Sequence, residues 1–142
     1  MLGAIASRIE AAVPELARRV EGASAYTALI RANKFPASSV AAYVIPTGLR
    51  GGEADASAGL FTQMYASTVM VVIFLRSTDA TGKAALDRLD AMLMDVVRAV
   101  AGWAPGGEVG VFRLNWGRLI DSSAGRLAYQ LEFSIDDQLE VT

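Results

Sequence analysis

The chemistry open to this chain of 142 residues is narrow, because it contains no histidine and no cysteine. Thiol nucleophiles, disulfides, Ser-His triads and the usual zinc ligand sets are excluded. Carboxylate, Lys, Tyr or Ser chemistry remains, with hard cations as helpers. Two patterns deserve weighing. Asp121 with Asp136 and Asp137 offers carboxylates for a hard-metal or acid/base site, if the fold assembles them. The blander account, a turn aspartate and two solvated tail acids, is the stronger one. The Gly48–Gly52 portion has the glycine content of a phosphate-binding loop. It lacks the Gly-Lys-Ser/Thr ending, and no amphipathic helix opens behind it, so it does not support nucleotide binding. No catalytic residue, cofactor or metal is expected.

Recognition is the other chemistry available. Trp103 and Trp116 are candidate interface anchors, since aromatic residues dominate binding hot spots. The commoner account of each is a partly buried core or turn residue. Arg113 and Arg118 are candidates to touch a neighbour or an acidic partner surface, against the more frequent case of solvated strand-face cations.

The elements that must position these residues are organised around 64–76. Val69 to Leu75 is continuously apolar and rich in β-branched and aromatic types, as a strand reads when both faces are covered. Before it, residues 2–20 carry Ile5, Ile9, Ala12 or Val13, Leu16 and Val20 on one helical stripe, interrupted by Pro14, with Gly22 as a stop. Residues 24–32 form a short helix or turn, and Ser39–Pro46 reads as a first strand that leaves the ladder at Pro46. Residues 47–59, with their glycines, small residues and two acids, read as a long, flexible loop that contains Arg50, Glu53 and Asp55. Such a loop is either a docking segment or a plain linker.

A helix over 80–101 follows, with Thr78 or Asp79 as its N-cap. Its inward residues are Leu86, Leu89, Leu93, Val96 or Val97, and Val100, with Met92 beside the seam and Gly102 as the stop. A strand over 109–120, a polar turn at 121–125 and a final strand over 126–135 complete the chain. In that last strand Leu127, Tyr129, Leu131, Phe133 and Ile135 point to the core, and Ala128, Gln130, Glu132 and Ser134 point to water. The expected fold class is α+β, an α/β sandwich. It has a single mainly antiparallel or mixed sheet of about four strands, with helices packed on one face. One domain over 1–142 is the natural expectation.

Hydrophobic residues make up 53% of the chain, a surplus that hints at burial between subunits. The net charge of −2 argues against sequence-independent nucleic-acid binding. No basic segment precedes a long apolar core at the N-terminus, so no signal peptide is expected and synthesis in the cytoplasm is the default.

Several features in this order resemble the small tail terminator proteins, also called minor tail or tail completion proteins, of long-tailed bacteriophages and prophages. They are the N-terminal Ile/Arg helix, the β-segment ending in Ile45-Pro46 and the long apolar strand behind its small-residue loop. The helix holding Leu86, Asp87, Leu89 and Leu93 follows. Then come Gly102-Trp103-Ala104-Pro105, Gly117-Arg118-Leu119-Ile120-Asp121 and the alternating strand from Tyr129 to Phe133. The resemblance implies a structural virion protein and no enzyme. It implies a homo-oligomeric ring, typically a hexamer, that caps the tail tube, stops its polymerisation and forms the head–tail joining surface. The implied partners are further copies of the chain, the tail tube protein and a head–tail connector protein, with no membrane and no nucleic-acid sequence recognition. A ring needs two unlike surfaces per subunit. The candidates are the wet face of the last strand, with Gln130 and Glu132, an open sheet edge, and the 47–59 segment. The alternatives are another connector or neck protein, and a small ligand-binding domain or enzyme.

Overall fold

The computed structural model describes residues 1–77, 83–123 and 125–142. Its elements in chain order are α1 (Leu2–Ala12), β1 (Val20–Glu21), α2 (Ala23–Arg31), β2 (Val40–Ser57), β3 (Leu60–Arg76), α3 (Lys83–Val100), β4 (Arg113–Ser123) and β5 (Arg126–Val141), with a 3₁₀ turn at Pro14–Leu16. They form an α+β fold with one open five-stranded sheet in the order β1-β2-β3-β5-β4. β1 runs parallel to β2, and all other neighbours are antiparallel.

The apolar run in β3 has both faces covered at this level, as its composition requires. Val69, Val71, Ile73 and Leu75 join Ile5 and Ile9 of α1 and Leu89, Met92 and Val96 of α3 in the main core. Val72 and Phe74 point the other way, into a smaller cluster with Ala41, Tyr43 and Ala128 that Ala25, Tyr26 and Leu29 of α2 cover. Helices therefore lie on both faces. Three aromatic contacts tie the second cluster together: Tyr26 with Tyr43, Phe35 with Phe74, and Tyr43 with Phe74, at 5.2–5.6 Å between centroids.

Pro14 divides the expected 2–20 helix. Val13, held extended by the proline that follows, ends α1 at Ala12, and Pro14 opens the 3₁₀ turn. The stripe survives the break, with Ile5, Ile9, Val13 and Leu16 all at most 3% exposed. Gly22 is not a helix stop but the residue before α2.

In α3 the buried residues are Ala85, Leu89, Met92, Val96 and Ala99, at alternating steps of four and three, and Val100, one turn after Val96. Leu86, expected inward, is 49% exposed. Leu89, Val96 and Val100 are buried as expected, but in the first turn the smaller Ala85 takes the seam position in place of Leu86. Gly102 ends the helix at φ +81, a conformation that favours glycine. The expected N-cap at Thr78 or Asp79, the helix start at 80, and Ala124 of the polar turn lie outside the described residues.

The largest correction concerns 47–59. These residues are not a loop: they continue β2 to Ser57, paired with β3 as far as Ser57↔Leu60. Pro46 does not leave the ladder but pairs with Val69, next to a bulge before Gly48. Likewise Asp121–Ser123 belong to β4, and the supposed acidic tail continues β5 to Val141, paired with β3 from Ala66↔Asp136 to Phe61↔Val141. Glycines, alanines and acids are weak strand formers. They are ordered here because Leu60 to Thr68 of β3 offer ladder partners on both sides, so backbone pairing overrides local preference. The distal parts of β2, β3 and β5 thus form a three-stranded arm beyond the helices.

The phase of α3 can be tested by truncation. Leu89→Ala is expected to cost about 2–5 kcal/mol, and Leu86→Ala to stay within about 0.5 kcal/mol, both read from chemical denaturation midpoints at constant slope. Equal losses would refute the orientation described.

Candidate assembly interface

The register gathers the candidate residues on one side of the sheet. On the edge strand β4, Arg113 lies opposite Ser134, Trp116 opposite Glu132 and Arg118 opposite Gln130. Directly opposed residues share a face, so these five candidates share the face that α2 covers nearer the base. On the arm, Arg50 opposes Ala66 and Asp55 opposes Thr62, on that same face. Glu53 sits at the bulge between Gly51 and Ala54 and lines a shallow hollow with Asp55, Thr62, Met64 and Gln138. Of the sequence candidates, Trp103 alone lies elsewhere.

Trp103 serves packing. Its ring stacks on Phe112 at 6.1 Å, and the Arg8 guanidinium lies 4.7 Å above it. Arg8 Nε also donates to the Ala99 carbonyl near the C-terminus of α3, where a cation is favoured. Two backbone bonds close the motif: Gly102 N–H to the Phe112 carbonyl and Phe112 N–H to the Trp103 carbonyl. Gly-Trp-Ala-Pro is thereby the clasp that joins the end of α3 to α1 and to the approach to β4.

The β4–β5 patch is polar but unevenly satisfied. Arg113 pairs with Asp136 at 3.0 Å, and Asn115 bridges Glu132 and the Ser134 hydroxyl at 3.0 Å each. Arg118 lies 5.3 Å over the ring of Trp116. Between them the Gln130 Oε1 atom is buried with no hydrogen-bond donor among the described residues. Such an atom calls for a partner. Every residue of β4 is exposed, including Leu114, Trp116, Leu119 and Ile120, and on the arm Leu49 is 77% exposed.

The three aspartates weighed as a metal or acid/base set are not brought together. Asp121 pairs with Ala128, and the eight residues from there to Asp136 span about 26 Å of strand. Among the described residues no group of three or more His, Cys, Asp or Glu side chains converges. Asp137 has a structural task instead: it accepts from the Gln138 N–H at 2.8 Å, the Val109 N–H at 3.2 Å and the Tyr65 hydroxyl at 3.2 Å. These bonds, that of Gln138 first, hold its carboxyl below the usual carboxylate range, and burial together with Asp137 raises the Tyr65 phenol. The clamp was not visible in the sequence, because Tyr65 and Asp137 become neighbours only through the β3–β5 register. The Gly48–Gly52 stretch is strand and no phosphate cradle.

The subunit is thus an open sheet with two edges that lack a strand partner over most of their length among the described residues, a long arm, and the candidate residues gathered on one face. Comparison with known proteins narrows the class. The family described as phage tail terminator protein matches residues 2–141. The chain belongs to that family and is a phage tail structural protein, a component of the virion. No curated protein matches it. Among solved structures, a chain from a "Virion of native gene transfer agent (GTA) particle" is similar in fold, with a TM-score of 0.58 and 12% identity, over 98% of this chain and 95% of that one. No described helix is long and apolar enough to cross a membrane.

The Asp137 clamp makes a pH prediction. A carboxyl lowered by folding contributes stability above its unfolded pKa, and that contribution is lost as pH falls through the folded value. Asp137→Asn should therefore melt below the parent at pH 7, and the gap should close below about pH 4. A gap independent of pH would show that the carboxylate charge is not what the clamp uses.

Proposed function

We propose that the chain closes into a head-to-tail ring of six subunits on the last ring of the tail tube, stops its polymerisation and presents the head–tail joining surface. Family membership supports the tail-terminating role. The observation that carries the ring is the pair of unlike edges: the arm side of β2 at one end of the sheet and β4 at the other. A surface that binds its own unlike surface generates either a filament or a closed ring, and a terminator requires closure. The exposed apolar residues of β4 are suited to burial between subunits. The role needs no catalytic group, cofactor or metal, and its partners are further copies, the tail tube protein and a head–tail connector protein.

Two measurements on the purified protein test this reading. Native mass with negative-stain imaging should show a closed ring with a central hole, free at high concentration or templated on tubes. Tube protein polymerising in its presence should stop at limited length, with the cap at one end. A monomer that neither binds tubes nor shortens them refutes the role. Binding to the portal side with no effect on tube length would instead favour a connector or neck protein.

A further inference from the structure

The ring reading leaves open how one subunit meets the next, and the geometry of the two edges answers it. β1 pairs only with Ala42 and Tyr43 of β2. Beyond Tyr43, no described strand pairs with the outer edge of β2, and none pairs with the outer edge of β4. β2, β3, β5 and β4 alternate in direction. The β4 of one copy laid beside the β2 of another in the same orientation is therefore antiparallel, and the alternation continues across the junction. Rotation about a ring axis keeps each copy's sheet facing the same way, so the face bearing Arg113, Trp116 and Arg118 meets the face bearing Arg50, Glu53 and Asp55.

We infer that the distal edge of β2 in one subunit adds antiparallel to β4 of its neighbour, in the register that sets Glu53 against Arg118 and Arg50 against Asp121. This inference rests on the ring reading and specifies its contact. Both charge pairs fit one register, because Arg50 to Glu53 and Arg118 to Asp121 are each three residues apart. All four residues belong to the shared face, and each span contains one of the sheet's bulges, Gly51/Ala54 on β2 and Leu119/Asp121 on β4. Strand addition supplies partners for the free backbone groups of both edges. The cross-strand charge pairs select this register over its slips, since a shift by one residue moves every side chain to the other face. Trp116, on β4 itself, then lies beside the incoming strand and loses water.

The absence of cysteine makes the test direct. The double variant Glu53→Cys with Arg118→Cys, assembled with or without tail tubes and then oxidised, should give a denaturing-gel ladder from dimer up to the full ring. Directly opposed strand residues meet disulfide geometry. A control carrying Glu53→Cys with Arg98→Cys, on the exposed side of α3, should give none. Charge reversal reads the same contact without a covalent bond. Arg118→Glu alone should reduce the assembled fraction about tenfold, and adding Glu53→Arg to the same chain should restore it. Rings seen by native mass with no ladder and no rescue would overturn this contact while leaving the ring in place. No ring and no capping by the parent chain would overturn both.

Discussion

The structure depends on a mismatch between two rises. A strand advances about 3.3 Å per residue and a helix about 1.5 Å. The 17 residues of β3 therefore reach about 56 Å, and the 18 of α3 about 27 Å. No described helix is long enough to cover the whole sheet. The apolar part of β3, Val69 to Leu75, is the part the helices cover. The remainder, Leu60 to Thr68, runs past them with one strand on either side. An isolated two-stranded ribbon is marginal in water. β5 makes this one three strands wide by continuing to Val141, and the Asp137 clamp to Tyr65 and Val109 pins that continuation to the body. What looks like an acidic tail is the brace of the arm.

The irregularities of the sheet follow the same division. The β3–β5 register is unbroken from Phe61↔Val141 to Arg76↔Arg126, whereas each outer strand carries two bulges. A bulge increases local twist and leaves a residue unpaired, which protects an exposed edge from indiscriminate pairing. Both edges carry charges of both signs beside these bulges, Arg118 and Asp121 on β4 and Arg50 and Glu53 on β2. Gly117 adds to this at β4, where a Cβ would lie 2.8 Å from Leu131 and 3.0 Å from Tyr129, so those side chains cover the edge backbone from the core face.

Legibility in the sequence tracks burial. The β3 run, the α1 stripe through Ile5, Ile9, Val13 and Leu16, and the core face of Leu127, Leu131, Phe133 and Ile135 were readable because hydrophobic periodicity reports a covered face, whereas Ala128 and Ser134, expected to point to water, are buried on the other face. In α3 one position failed, since Ala85 carries little pattern signal beside Leu86, while Leu89, Val96 and Val100 were read correctly. The arm failed altogether. Gly48, Gly51, Gly52, Ala54 and Ala56 read as loop because nothing local tells a glycine in a ladder from a glycine in a turn; only the partner strand decides. The candidate interface residues were chosen by type, as aromatics and charges without an obvious core role. That all except Trp103 share one face depends on the register of four strands and the placement of their bulges, which no short window contains.

The disagreement between local preference and observed structure is itself informative. A sequence shaped only for stability would put β-branched residues along 47–59, because every local choice would then favour the same fold. This chain instead has small and charged residues there, beside a strand, β3, that could pair with stronger formers. Part of this serves the sheet itself: at Gly52 a Cβ would stand 3.1 Å from the Met64 carbonyl of the neighbouring β3. Weak propensity also lowers the stability of a lone arm relative to one that has gained a second neighbour. Local rules are broken at functional sites, and here they are broken along β2, one of the two edges with no strand partner over most of their length among the described residues.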